Sequence, residues 1–202
     1  MQDFRTISDF FENIPRDQVI VVYGEPASGK TTLALQAALK ILRDGKKVIF
    51  IDSENGLTLN RLRQMDNSVD IYLENLIVLR PRSLLEQEDM ITNLPIKCGL
   101  VVLDSLSKYY RINVKSDYND ANNSVITQLR KLHKFVDKEI HVIVTNQVYT
   151  TMDKQIKAVG GSMLVRWSKF LVRLEKVPRL FVIEKPSVKI LSFRIKDKGL
   201  VD

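Results

Sequence analysis

Apolar runs alternate along this chain with stretches of helical periodicity, the pattern of βα units that build a mostly parallel sheet. Val19-Ile20-Val21-Val22-Tyr23 reads as a buried strand. Residues 30–43 read as a helix, with Leu33, Ala37, Ala38, Ile41 and Leu42 on one face and Gly45 as its stop. Val48-Ile49-Phe50-Ile51 is a second strand, residues 57–65 a short helix, and Leu76-Ile77-Val78-Leu79 a third strand, followed by a helix around 83–94. Leu100-Val101-Val102-Leu103 is a fourth strand and Ile140 to Val144 a fifth. Between them, residues 119–138 predict a long amphipathic helix with Val125, Leu129, Leu132 and Val136 as its apolar stripe. The polar stretches 107–118 and 148–160 show no period and read as loops. Strand-like runs near 170–174, 180–184 and 190–195, joined by short turns, predict antiparallel pairing at the end of the chain. The expected fold is therefore α/β: a mostly parallel central sheet flanked by helices, with C-terminal antiparallel strands.

Composition narrows this picture. The chain has 202 residues, 45% of them hydrophobic, enough for one α/β core. No apolar run reaches the roughly 18 residues of a membrane helix, and the N-terminus lacks the apolar stretch of a signal peptide. Cys98 is the single cysteine, which excludes a disulfide framework and predicts a cytoplasmic protein with Cys98 as a small core residue. Charge is unevenly placed: residues 1–100 carry 12 Lys/Arg against 14 Asp/Glu, and residues 101–202 carry 19 against 10. The basic second half suits either a polyanionic partner or a generally basic surface.

The strongest chemical signal is Gly24-Glu25-Pro26-Ala27-Ser28-Gly29-Lys30-Thr31, a Gly-x-x-x-x-Gly-Lys-Thr run between a buried strand and a helix. In that setting, backbone N–H groups turn inward on phosphates and the helix directs its positive end at them. This predicts ATP bound with Mg²⁺. Lys30 reaches the β- and γ-phosphates, Thr31 ligates the metal, and Thr32 continues the cradle. Asp104, ending the fourth strand, has the position of the Mg²⁺-associated carboxylate or of a helix N-cap. Glu54, after the second strand, either orients the attacking water or is an exposed loop acid.

Five segments together resemble the core of the RecA/RadA recombinases, most closely the archaeal RadB group, over about residues 15–198. They are the phosphate loop, Phe50 to Leu57 with Arg61 beyond it, Leu100 to Ser105 with Tyr110-Arg111, and Val142-Ile143-Val144-Thr145-Asn146-Gln147-Val148-Tyr149. The fifth is Gly160-Gly161 with Ser168-Lys169 and Arg173 to Lys176. The resemblance implies a RecA-like P-loop NTPase core. It makes Glu54 the catalytic glutamate, Arg61 a guanidinium stacked on adenine, and Gln147 the sensor of the γ-phosphate. It also implies two DNA-facing loops. One carries Lys108, Tyr109, Tyr110, Arg111, Lys115 and Tyr118, and the other Tyr149, Lys154 and Lys157, with cations interleaved among aromatics as single strands require. A stripe of Arg130, Lys134 and Lys138 reads as a solvated helix face.

The sequence departs from the group in four places. About fifteen residues precede the first strand, so the N-terminal helical DNA-binding domain of full recombinases is expected to be missing. The Phe-x-x-Ala segment that docks one recombinase subunit on the next is not found. Asn55 replaces the usual glycine, and Ala27-Ser28 the commoner Gly-Thr. The expected function is an ATP- and DNA-binding recombinase paralogue that assists homologous recombination and repair with weak ATPase activity. The resemblance implies a RadA-type recombinase and a Holliday-junction nuclease as partners. An ATP-binding module that acts on proteins without DNA is the alternative. A small-molecule kinase fits less well, since the second half turns into strands where such enzymes carry an Arg-rich lid.

Overall fold

A computed structural model describes residues 4–95, 97–150, 156–158 and 167–202, with backbone alone at 149–150 and 156–158. The first turn of chain is α1 (Ile7–Glu12), capped reciprocally by Thr6 and Asp9. Then come β1 (Val19–Gly24), α2 (Lys30–Arg43), β2 (Val48–Asp52) and α3 (Leu59–Met65). Two short 3₁₀ turns lead to β3 (Leu76–Leu79), α4 (Leu84–Thr92) and β4 (Leu100–Asp104). Next are α5 (Ser107–Asn113), α6 (Tyr118–Val136), β5 (His141–Thr150) and β6 (Ile156–Ala158). Five C-terminal strands close the chain: β7 (Phe170–Leu174), β8 (Leu180–Lys185), β9 (Lys189–Ser192), β10 (Arg194–Lys196) and β11 (Gly199–Val201).

The main sheet runs β3-β2-β4-β5-β1-β7-β8-β9. Its pairs are parallel from β3 through to β7 and antiparallel from β7 to β9. β10 and β11 form a separate hairpin. The alternation of strand side chains divides the core into two layers. Ile20, Val22, Val48, Phe50, Leu100 and Val102 pack under α1, α2 and α3. Val19, Val21, Ile49, Ile51, Val101 and Leu103 pack under α4, α5 and α6. Every residue of β1, β2 and β4 is buried, as in strands covered on both faces.

Three readings of the sequence change here. Residues 107–113 are helical as α5, whose buried face is made of tyrosines that sit among polar neighbours in the sequence. The segment 148–160 is strand in part: β5 runs on to Thr150 and pairs with β6. The apolar stripe of α6 ends on Phe135, which is fully buried, with Val136 at its margin.

His141 opens β5 and is 4% exposed, its Nδ1 donating to the carbonyl of Pro15 at 3.1 Å. Burial disfavours the imidazolium and lowers the pKa below the ordinary value. A base held neutral in the fold contributes stability that is complete above its unfolded pKa of about 6.5 and is lost below it. Stability should therefore fall on acidification below about pH 6.5, by up to about 1.4 kcal/mol per pH unit from this group. Urea unfolding of the wild type and His141→Asn between pH 7.5 and 5 checks this, with the variant expected to show the shallower slope.

Candidate active site

The carboxyl ends of β1, β2, β4 and β5 lie side by side, where parallel α/β sheets place their ligands. The strand register aligns Gly24 with Gln147 and Asp52 with Asp104. Each of these residues comes from a different crossover, so the sheet itself brings them together.

The phosphate loop spans the gap between β1 and α2. Gly24 is required by close approach: a Cβ there would lie 2.3 Å from the carbonyl oxygen of Leu174 on β7 and 2.8 Å from Ser28 Oγ. Gly29 has φ 111°, a conformation that L side chains rarely adopt, and it caps α2. Glu25, Pro26 and Ala27 are exposed at the rim, and Ser28 is fully buried with its hydroxyl unpartnered among the described residues. Lys30, 9% exposed, donates to the carbonyls of Gly24 at 2.9 Å and Glu25 at 2.7 Å. Burial lowers its pKa, and the charges of Asp104, Glu54 and Glu25 act against that fall. Ala27 has φ 62°, which explains why glycine is common there. Ala27→Gly should raise stability by about 0.5–1 kcal/mol net of glycine's greater unfolded-state freedom. A thermal melt should show this as a rise of about 1–4 °C.

Thr31 and Thr32 occupy the first turn of α2. Thr31 Oγ1 donates to Asp104 Oδ2 at 2.7 Å, and Thr145 Oγ1 donates to Asp104 Oδ1. Burial raises the pKa of Asp104, the two threonine hydroxyls pull it down, and the charges of Asp52 and Glu54 push it up again. Three carboxylates at one end of the sheet create a local demand for a cation. The donors are hard oxygens, suited to Mg²⁺. Among the described residues no group of three or more His, Cys, Asp and Glu is placed to hold a metal ion. Gly56 backs onto the same point, a Cβ there lying 3.1 Å from Thr31 Cγ2. The residues present thus fit a nucleotide with its metal. Thr31 and Asp104 would hold the ion, and Lys30 and the amides of residues 25–31 would hold the phosphates.

Glu54 lies on the turn after β2. Its Oε1 accepts from Ser105 Oγ at 2.6 Å and from Gln147 Nε2 at 3.1 Å. The turn is built by Asp52, which is fully buried and accepts from the amides of Gly56 at 2.9 Å and Leu57 at 3.2 Å. Asn55 takes φ 58° between them, a left-handed conformation that Asn tolerates better than most residues. Arg80 braces the turn through Asp52 Oδ2 at 3.3 Å and the Leu57 carbonyl at 3.0 Å. Arg61, on α3, reaches Gln64 and the carbonyl of Lys196 at 3.3 Å. The same β10–β11 hairpin presents Ile195 against Gly29.

Sequence reasoning missed Thr145, Asp52 and the two serines Ser105 and Ser107. An Asp ending a strand four residues before Gly56 could have signalled the Asp52 turn. Thr145 gave no such signal, because its partner Asp104 lies 41 residues away.

The residues expected to face DNA separate into groups. Tyr109 and Tyr110 are each 8% exposed, with their hydroxyls donating to the carbonyl of Pro81 at 2.5 Å and to Asn122 Oδ1 at 3.0 Å. Both rings are thus largely buried in this structure. Lys108 is half-buried and donates to the carbonyl of Ser53. Arg111, Lys115 and Tyr118 are exposed. Tyr149 and Lys157 are paired across β5 and β6. Lys154 and Gly160-Gly161 lie outside the described residues.

Fold and phosphate loop together define a P-loop protein with a RecA-like core. A family model described as an AAA domain matches residues 6–149. The chain is 33% identical over 202 residues to the "DNA repair and recombination protein RadB" of Methanocaldococcus jannaschii, covering 93% of this chain and 94% of that one. It is 32% identical to the protein so named in Methanobrevibacter smithii, covering 81% and 75%. A solved structure titled "Crystal structure of the RadB recombinase" superposes with a TM-score of 0.77 at 32% identity, over 92% of this chain and 90% of that one. The chain belongs to the RadB family.

Proposed function

We propose that this protein is a nucleotide-gated DNA-binding component of archaeal homologous recombination and DNA repair, acting in the cytoplasm beside a RadA-type recombinase and a Holliday-junction nuclease. It binds ATP with Mg²⁺, hydrolyses it weakly and in response to DNA, and assists strand exchange without catalysing it alone. The metal, when bound, supplies charge neutralisation at the phosphates. Lys30 and the loop amides would hold the nucleotide, Arg61 would supply a guanidinium to stack on the adenine, and Glu54 would orient or deprotonate the attacking water.

One contact carries the gating part of this reading: Gln147 Nε2 on Glu54 Oε1 at 3.1 Å. Gln147 is in register with Gly24 at the mouth of the phosphate loop, and its strand continues directly into the pairing with β6. A neutral amide that both donates and accepts can exchange Glu54 for a phosphate oxygen without a change of charge. Such an exchange pulls on the start of the β5–β6 pair, which bears Tyr149 and Lys157. The exposed cations Arg111 and Lys115 supply the rest of the phosphate-binding surface.

Fluorescence anisotropy of labelled single-stranded DNA, with and without ATP·Mg²⁺ and at two salt concentrations, tests this. Binding should weaken steeply with salt and shift with nucleotide, and Gln147→Ala should remove the shift while leaving salt-sensitive binding. Full nucleotide dependence in Gln147→Ala would overturn the gating role. Failure to retain DNA even at low salt would overturn the DNA-binding role and favour a protein-directed regulator.

A further inference from the structure

Lys108 looks in sequence like the first cation of a DNA-facing loop, yet its ammonium group is turned back into the protein. Nζ donates to the carbonyl of Ser53, one peptide bond from Glu54, and sits 4.9 Å from the centroid of the Tyr109 ring. Fixing a lysine side chain costs rotamer entropy. A carbonyl acceptor together with a cation–π contact offsets that cost. Tyr109 is itself immobilised by its bond to Pro81.

The first turn of α5 is tied to the nucleotide side at further points. Ser105 Oγ donates to Glu54, Ser105 and Ser107 hydroxyls lie 3.3 Å apart, and Ser107 Oγ accepts from the backbone N–H of Gln147 at 3.0 Å. Ser53 is anchored in turn through its N–H on the Asp104 carbonyl at 2.7 Å and its hydroxyl on Gln87 at 2.6 Å. The helix that begins with these ties carries Arg111 in its last turn and leads to Lys115, both exposed.

We infer that Lys108 is a positioning residue of the nucleotide site, clamping α5 to the Ser53–Glu54 turn so that a nucleotide-driven shift of that turn is delivered to Arg111 and Lys115. The delivery to DNA rests on the function proposed above, whereas the clamp itself does not. A lysine serving as a phosphate contact and one serving as a clamp give opposite signatures. Loss of a phosphate contact weakens DNA binding equally with and without nucleotide and lowers the salt slope by about 0.7 for a single strand. Loss of the clamp leaves the slope intact and abolishes the difference that nucleotide makes.

Two measurements decide the role, using the full chain as wild type, Lys108→Met and Lys108→Arg. Hydrogen exchange should show that ATP·Mg²⁺ slows the amides of residues 107–114 in the wild type. The slowing should be lost in Lys108→Met and largely restored in Lys108→Arg, whose longer donor can reach the same carbonyl. DNA anisotropy should show the nucleotide effect in Lys108→Met reduced to within about 2-fold at an unchanged salt slope. Exchange at 107–114 that ignores nucleotide in the wild type, or responds equally in Lys108→Met, would overturn the clamp. If Lys108→Met fails to fold, Lys108→Gln, which stays polar but loses the ammonium group and shortens the side chain, carries the same exchange test with the same expected loss of slowing. A wild type that binds no DNA would remove the proposed function, and the exchange result would still decide Lys108.

Discussion

Lys30→Met is expected to weaken ATP·Mg²⁺ binding by about 100-fold while leaving the nucleotide-free protein as stable as the wild type or more so. A charge-assisted hydrogen bond contributes about 1.5–3 kcal/mol, and a unit charge pair at 4 Å near a protein surface is worth up to about 4 kcal/mol. A loss near the middle of that range is a factor of about 100 in Kd. Methionine preserves the buried stem, so packing against the loop is retained.

The stability side follows from the burial of the ammonium group. Its pKa is lowered by burial against the opposing pull of Asp104, Glu54 and Glu25. A base whose folded pKa lies below its unfolded value is less stable as the charged form in the fold than in the unfolded chain. Removing the charge relieves that cost, offset by the two bonds to Gly24 and Glu25. Thermal melts distinguish the two effects. Nucleotide at 100 times the wild-type Kd should stabilise the wild type by about 2.7 kcal/mol, a rise of about 5–11 °C, and Lys30→Met by only about 0.4 kcal/mol, a rise of about 1–2 °C. A variant that keeps the wild-type Kd would show that Lys30 does not hold the phosphates.

What could be read from the sequence was local. β1, β2 and β4 announced themselves because strands buried on both faces are continuous apolar runs, and α2 because its apolar face, its entry at Lys30 and its stop at Gly45 all agree. The candidate positions Thr31, Asp104 and Glu54 could be singled out because each sits at or just beyond the end of such a strand or at the start of such a helix. α1 was missed because six residues are too few to show a period. α5 was missed because its buried residues are tyrosines, whose burial depends on Pro81 and Asn122 to accept their hydroxyls. The inward turn of Lys108 was hidden for the same reason, since a basic residue next to two aromatics gives no sign of the Ser53 carbonyl that receives it. Gln147 was placed by resemblance, and the contact with Glu54 comes from register, because β5 lies between β4 and β1 although 93 residues separate the two side chains.

Glu54→Gln is expected to lower the rate of ATP hydrolysis by about 100- to 1,000-fold, within the range for loss of a general base, with nucleotide affinity changed by less than about 3-fold. Glutamine retains an oxygen that can accept from Ser105 and Gln147, so the turn after β2 keeps its shape. What it loses is the carboxylate that can take a proton from water. Among the described residues both hydrogen bonds to Glu54 fall on Oε1, so Oε2 is the oxygen expected to meet a water. Glu54→Asp keeps the carboxylate but draws it back by one methylene, and should fall between wild type and Glu54→Gln. Because turnover is expected to be slow, single-turnover hydrolysis of radiolabelled ATP, with and without single-stranded DNA, is the suitable measurement. If Glu54→Gln hydrolyses ATP at the wild-type rate, Glu54 is not the base. Its bond to Gln147 would then make it part of the gate alone, and the chemistry would have to be sought among other groups around Lys30 and Asp104.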